Sequence, residues 1–374
     1  MKVIHVVGAR PNFMKIAPVY QALEQYPHVT QRLVHTGQHY DANMSDIFFK
    51  QLGLPQPDVN LGVGSGTHAG QTAQVMVKFE ELVTVERPDW VVVYGDVNST
   101  VAAALVCAKL LIPVAHVEAG LRSGDRTMPE EINRLLTDQL ADLLFTPSLD
   151  GNENLAREGI PAHKIHFVGN VMIDTLVRLR PAAEELWPAL CARYGLSRFG
   201  LVTLHRPSNV DQEASLRAIL ETLNEIGRDL PLFFPIHPRT RARLETWGLA
   251  DRIPNIQLAE PLGYLDFVAL QAHAALVLTD SGGVQEETTW LGTPCITLRA
   301  NTERPITLTH GTNVLVGEDM LLLRRAAANA LAGKMTRSEP PPLWDGHAGA
   351  RVAAVLAAPK PAAPSAIAAE TAIA

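Results

Sequence analysis

The chain has 374 residues, which at about 150 residues per domain leaves room for two or three domains. Its 47% hydrophobic and 19% charged content excludes a largely disordered polymer. A formal charge of −7 and only 6% aromatic residues exclude a globally basic nucleic-acid surface and an aromatic platform for single strands.

Cys107, Cys191 and Cys295 stand far apart, in neither a disulfide framework nor a zinc spacing, and read as reduced thiols. The start, Met1 to Gly8, lacks the apolar core and cleavage site of a signal peptide. The longest apolar run, Val101 to Ile112, is interrupted by Lys109 and is too short to cross a bilayer. A cytoplasmic protein without membrane or nucleic-acid partners is expected.

Along the chain, short β-branched runs alternate with segments of helical spacing. Strands are expected at Lys2–Gly8, Val29–Thr36, Trp90–Gly95, Pro113–Val117, Leu143–Thr146 and Ile165–Val168, with helices at His68–Thr84, Ser99–Leu111 and Glu130–Leu140 between them. The rhythm restarts after a charged, proline-containing stretch, Arg178 to Arg198. New strands are expected at Gly200–Leu204, Leu232–Ile236, Ile256–Ala259, Leu276–Thr279 and Cys295–Leu298, and helices at Ala214–Gly227 and Tyr264–Ala272. Strands alternating with helices imply parallel sheets, and runs such as Trp90-Val91-Val92-Val93 fit a sheet covered on both faces. The fold class is α/β, with two doubly wound, Rossmann-like domains. The first spans 1–170 and carries the candidate carboxylates; the second spans 171–346. A short final helix covers 347–356, and 357–374 reads as a disordered Ala/Pro tail.

Ligands of open parallel sheets gather at the carboxyl ends of the strands. After the first strand, Gly8-Ala9-Arg10-Pro11-Asn12-Phe13-Met14-Lys15 lacks a dinucleotide glycine pattern but places Arg10 and Lys15 where a phosphate could meet a helix start. A plain solvated loop explains those two residues about as well. Asp96 ends another buried run, and Asn98 or Ser99 can cap the helix that follows. Glu118 also ends a buried strand, a costly place for a carboxylate unless it is paired or functional; Arg122 is the nearest partner in sequence. Glu130 and Glu131 open a helix behind Pro129, where acidic residues also complement the helix dipole.

The second half mirrors this pattern. His205-Arg206 and His237-Pro238-Arg239 follow strands, and Asp280-Ser281-Gly282-Gly283 runs from a strand into a helix. Those glycines let backbone amides approach an anion closely, and Glu287 lies one turn on, placed to grip a ribose diol. Arg299 and Thr302-Glu303-Arg304-Pro305 follow the strand at Cys295–Leu298. Two such sets facing each other fit a nucleotide-sugar cleft.

In order and spacing, Gly8-Ala9-Arg10-Pro11, His116-Val117-Glu118-Ala119-Gly120-Leu121-Arg122, Pro129-Glu130-Glu131-x-Asn133-Arg134, His205-Arg206, Asp280-Ser281-Gly282-Gly283-x-Gln285-Glu286-Glu287 and Thr302-Glu303-Arg304-Pro305 resemble the non-hydrolysing UDP-N-acetylglucosamine 2-epimerases, from Val3 to about Leu356. The resemblance implies a fold like that of GT-B glycosyltransferases, a final helix that returns to the first domain, and usually a homodimer. It implies inversion of carbon 2 of a UDP-2-acetamido sugar by loss and return of UDP. Carried over by motif, the catalytic candidates are Asp96, Glu118, Glu130 and His205, and the UDP contacts are Arg10, Lys15, His237, Phe267, Ser281, Gly282, Gly283, Glu287 and Arg304. Such a scheme needs no metal and no other cofactor. Clustered carboxylates would push one another's pKa values up and keep one protonated as the acid.

Two departures bear on function. Substrate-activated members read His-Arg-Arg-Glu where this chain reads His205-Arg206-Pro207-Ser208, and Pro207 offers no second guanidinium, so activation by substrate does not carry over. The segment Gly124-Asp125-Arg126-Thr127-Met128 is short, and resembles epimerases of UDP-2,3-diacetamido-glucuronate. A hydrolysing 2-epimerase that releases the free sugar, a GT-B glycosyltransferase and a non-catalytic nucleotide-sugar binder are the competing readings.

Overall fold

The structure, a computed structural model, describes residues 1–37, 49, 51–335 and 339–358, without the side chain of Arg10. Strands β1 (Lys2–Val7), β2 (Thr30–His35), β3 (Val59–Asn60), β4 (Trp90–Tyr94), β5 (Val114–Val117), β6 (Leu143–Thr146) and β7 (Ile165–Phe167) form one parallel sheet in the order β3-β2-β1-β4-β5-β6-β7. Strands β8 (Gly200–Thr203), β9 (Leu232–Pro235), β10 (Ile256–Ala259), β11 (Leu276–Thr279), β12 (Cys295–Thr297) and β13 (Asn313–Leu315) form a second parallel sheet, ordered β10-β9-β8-β11-β12-β13. Both orders are doubly wound, and in each the chain reverses its direction of travel between the first and fourth strands. The α/β class read from the sequence is the observed one.

The continuously apolar strands are covered on both faces. Val3, Val7, Val92 and Tyr94 enter one core with the helix Arg10–Leu23, while Ile4, Val6, Val91 and Val93 enter another with Phe79 and Val83 of the helix His68–Glu86. Each such fully buried side chain is worth about 2 kcal/mol in removed apolar surface. β3 and β13 have two and three residues, too short to show a periodicity, and both escape the sequence reading.

Between the sheets, the proline-containing stretch from Arg178 is largely helical: Val171–Tyr194 is a single 24-residue helix holding both Pro181 and Pro188. A mid-helix proline costs about 3 kcal/mol, and packing offsets it here. The helix buries Ile173, Leu176, Ala183 and Leu190 against the helix Tyr264–His273 and Trp344. Its Thr175 hydroxyl donates to the Met14 carbonyl at 2.6 Å, so one rod touches both halves.

The chain then returns. Trp344 Nε1 donates to the Pro147 carbonyl at 2.9 Å, and the helix Ala348–Leu356 packs on Arg10–Leu23. Asp174 Oδ2 accepts from the Gly349 amide at 2.7 Å. Of the expected tail, Pro359–Ala374 lies outside the described residues. Among the described residues, no helix is long and apolar enough to cross a membrane.

Candidate active site

The turns after β1 and β4 face those after β8 and β11 across a cavity of about 1040 Å³. Lys15, Asp96 and Glu130 line it from the first half. His205, Phe267, Ser281, Gly282, Gly283, Glu287 and Arg304 line it from the second. Glu118 is 5% exposed and sits behind Lys15 and Arg304. His237 stays out of the wall: it is exposed and caps the helix Pro238–Thr246, with its ring 6.0 Å from that of His205. Arg10 opens the first helix, and its side chain lies outside the described atoms.

Glu118 is not paired with Arg122, its neighbour in sequence. Arg122 turns away to Asp138 and Glu158, at 2.7 Å each. Glu118 instead meets Lys15 Nζ and, 186 residues away in sequence, Arg304 Nη2 at 3.0 Å. Its backbone is left-handed (φ 75°), unusual for a residue other than glycine. The turn is held because the amides of Glu118 and Ala119 both donate to the Phe145 carbonyl, at 3.1 and 3.0 Å. Gly120 follows with φ 81°, and a Cβ there would lie 2.5 Å from the Gly151 carbonyl oxygen, so only glycine fits.

Asp96 is held by the opposite wall of the turn. Arg134 Nη1 donates to its Oδ2 at 2.5 Å, while Arg134 Nη2 donates to Glu131 at 2.6 Å. Burial works against the charge of Glu131, yet the Ser123 and Gly124 amides and Arg134 hold its carboxyl below the usual range. Glu131 is therefore a buried strut, whereas Glu130, one residue earlier, is exposed on the cavity wall. Asn98 and Ser99 do not cap the following helix. Val97 is its N-cap; Asn98 donates to Gln71 at 2.9 Å, and the Ser99 and Thr36 hydroxyls meet at 2.8 Å.

His116 joins the two carboxylate turns. Its Nδ1 faces Asp138 at 2.6 Å and its Nε2 faces the Gly95 carbonyl at 2.8 Å, so both ring nitrogens are engaged. The other Asp138 oxygen accepts from the Gly120 amide at 3.1 Å. One buried imidazole thus fixes the residue before Asp96 and, through Asp138, the turn after Glu118.

In the second half, buried Asp280 organises the loop after β8. Burial opposes its charge, but the His205 ring, the Arg206 amide and Asn209 hold its carboxyl below the usual range. His205 Nδ1 lies 3.1 Å from Asp280 Oδ1, and the ring is 41% exposed toward the cleft. Ser281 occupies the N-cap position of the helix Gly282–Leu291 without a side-chain capping bond, and Ser281, Gly282 and Gly283 at that helix start line the cavity. Glu287 is occupied by the Tyr264 hydroxyl at 2.8 Å and Gln271 Nε2 at 2.6 Å, and burial raises its pKa.

Burial also raises Glu286, which was not among the sequence candidates, to about 7; it pairs with Arg304 Nε at 3.0 Å and accepts from Asn170 Nδ2 at 2.8 Å. Sequence reasoning also assigned no role to Arg134, Asp138, Tyr264 or Glu303. Arg134, Glu286 and Glu303 stand inside the quoted motifs, whose acidic and basic content was the available signal. The pairings Arg134–Asp96 and Asn170–Glu286 join residues remote in sequence and could not be read from it, whereas Arg134–Glu131 and Arg299–Glu303 are near neighbours.

The sequence profile described as UDP-N-acetylglucosamine 2-epimerase matches residues 21–357. The chain belongs to that family. A UDP-N-acetylglucosamine 2-epimerase of Methanocaldococcus jannaschii is 44% identical over 364 residues, 95% of this chain and 99% of that protein. A UDP-2,3-diacetamido-2,3-dideoxy-D-glucuronate 2-epimerase of Pseudomonas aeruginosa is 43% identical over 360 residues, 96% of this chain and 99% of that one. The crystal structure of the M. jannaschii UDP-GlcNAc 2-epimerase in complex with UDP-GlcNAc and UDP superimposes with a TM-score of 0.88 at 45% identity, covering 95% of this chain and 99% of that chain. The two facing sheets are thus the GT-B-like fold of an epimerase family, and the cleft between them is the candidate active site.

Proposed function

We propose that the chain is a non-hydrolysing epimerase that inverts carbon 2 of a UDP-2-acetamido sugar, UDP-GlcNAc to UDP-ManNAc being the simplest case. The observation that carries this reading is the opposition of Asp96 and Glu130 on one wall, with Glu118 buried behind Lys15 and Arg304, to the Ser281–Gly283 helix start on the other. The hydrogen on carbon 2 is not next to a carbonyl, so its removal requires departure of the anomeric group. The C1–O bond to UDP breaks, a carboxylate takes the C2 proton, and a 2-acetamidoglucal remains. The helix-start amides, Ser281, Lys15 and Arg304 stabilise the departing diphosphate, the electrostatic task that carries most weight. UDP then re-forms the C1–O bond while a proton is delivered to the opposite face of carbon 2. Two faces need two acid–base groups, which Asp96, Glu118 and Glu130 supply with His205 at the edge.

Incubation with UDP-GlcNAc in deuterated water tests this. UDP-ManNAc carrying deuterium at carbon 2 is expected. Free ManNAc as the only product would replace the reading with hydrolysis, and the absence of carbon-2 deuterium would favour transfer. The similarity to the diacetamido-glucuronate epimerase keeps an acidic sugar within the same chemistry.

A further inference from the structure

Among the described residues, the cations of the cleft converge on different carboxylates, and the pair assigned above to the diphosphate converges on one of them. Lys15 and Arg304 converge on Glu118. Arg299 and Arg206 gather instead around Glu303: Arg299 Nη2 donates to Oε2 at 2.7 Å, and Arg206 Nη2 lies 3.9 Å from Oε1. Glu303 stands between the groups, since its Oε1 also meets Arg304 Nη1.

This second pair is short of acceptors. The Arg299 side chain is 4% exposed, lines the cavity wall, and among the described residues its buried Nη1 has no hydrogen-bond partner. Arg206 spends Nε on the Asp280 carbonyl at 3.0 Å. Among the described residues, its Nη1 has only the Met128 thioether at 3.9 Å, and its Nη2 only the distant Glu303. Thioether sulfur is a weak acceptor. A buried donor without a partner costs free energy, and a guanidinium fork matches a carboxylate in two parallel bonds. Pro207, Ser208 and Asn301 continue the same wall, and the carboxylates that act on the pair besides Glu303 are Asp280 and Glu130 on Arg206 and Asp125 on Arg299.

We propose that Arg206 and Arg299 form a second anion subsite, which takes a carboxylate carried on the sugar ring, so that the enzyme prefers an acidic UDP-sugar to its neutral counterpart. The inference rests on the epimerase reading for its substrate class. It is tested by binding, with UDP, UDP-glucose and UDP-glucuronate as probes, because the last two differ only in the carboxylate. The wild-type protein is expected to bind UDP-glucuronate about tenfold more tightly than UDP-glucose, the scale of one charge-assisted pair. Arg299→Gln and Arg206→Gln are each expected to bring the two within about twofold and to change UDP affinity less than that. Equal affinities in the wild-type protein would overturn the proposal without any variant. Loss of UDP affinity matching the loss for UDP-glucuronate would assign the pair to the diphosphate and overturn it too. Carbon-2 deuteration of UDP-GlcNAc and of its 6-carboxylate, UDP-N-acetylglucosaminuronate, measured alongside, separates the two readings: deuteration without a carboxylate preference rejects the subsite alone, and the preference without deuteration of either sugar keeps the subsite and rejects the epimerase.

Discussion

Arg304 of the second half donates to Glu118 of the first at 3.0 Å, and Lys15 holds the other oxygen of the same carboxylate. The two cations assigned to the diphosphate are therefore already engaged by the residue assigned to proton transfer. A diphosphate reaching Lys15 and Arg304 competes with Glu118, and its arrival frees the carboxylate. Glu118→Gln is expected to bind UDP about tenfold more tightly while losing turnover by at least about 100-fold. Calorimetric titration with UDP decides it; unchanged or weaker binding sinks the competition.

Arg134 bridges Asp96 and Glu131 from a position 2% exposed. Arg134→Gln leaves Glu131 buried without its guanidinium and is expected to cost about 3 kcal/mol of stability. Release of Asp96 should lower kcat by about 100-fold, with a smaller change in KM. Urea denaturation and steady-state kinetics read the two effects, and a variant of wild-type kcat would remove Asp96 from the chemistry.

Gly282 and Gly283 are adjacent but not equivalent. A Cβ on Gly282 would meet Arg304 Nη1 at 2.6 Å and Glu303 Oε1 at 2.8 Å, both pinned by other ion pairs, whereas at Gly283 the nearest atom is the Met172 methyl at 3.9 Å. Gly282→Ala should weaken UDP binding by about tenfold or more and Gly283→Ala by much less, on the scale of a displaced charge-assisted bond. Equal losses would mean that Arg304 does not set the affinity.

Burial raises Asp174 to about 6, with the Gly349 and Ala348 amides opposing the rise. The folded chain thus binds this proton more tightly than the unfolded one. The contribution is fully present below about pH 4 and is lost as pH rises through about 6, a change of at most about 3 kcal/mol. Asp174→Asn cannot ionise, so its stability relative to wild type should climb from pH 4 to 6 and level off above 7. Denaturation at several pH values checks this, and a constant difference would contradict it.

Much of the architecture was legible because parallel strands buried on both faces write themselves as unbroken apolar runs, as in Trp90–Tyr94. The cleft chemistry was legible because the topology gathers strand-end residues at one edge, so Asp96, His205 and Ser281 could be nominated without coordinates. The helix Val171–Tyr194 was not, because Pro181 and Pro188 carry a local signal that tertiary packing overrides. Nor were the pairings. Sequence proximity offered Arg122 to Glu118, and the fold supplies Lys15 and Arg304 from 103 residues before and 186 after. His237 shows the limit from the other side, a strand-end histidine that the fold leaves outside the cavity wall.

The final helix carries a consequence for the order of synthesis. Ala348, Val352, Ala353 and Leu356 belong to the same core as Val3, Ile16 and Val92. The ribosome makes the β1–β7 sheet first but delivers part of its core last. Nascent chains usually fold their N-terminal unit as it emerges. Here that unit is expected to complete its core only after the second half and the closing helix have been made.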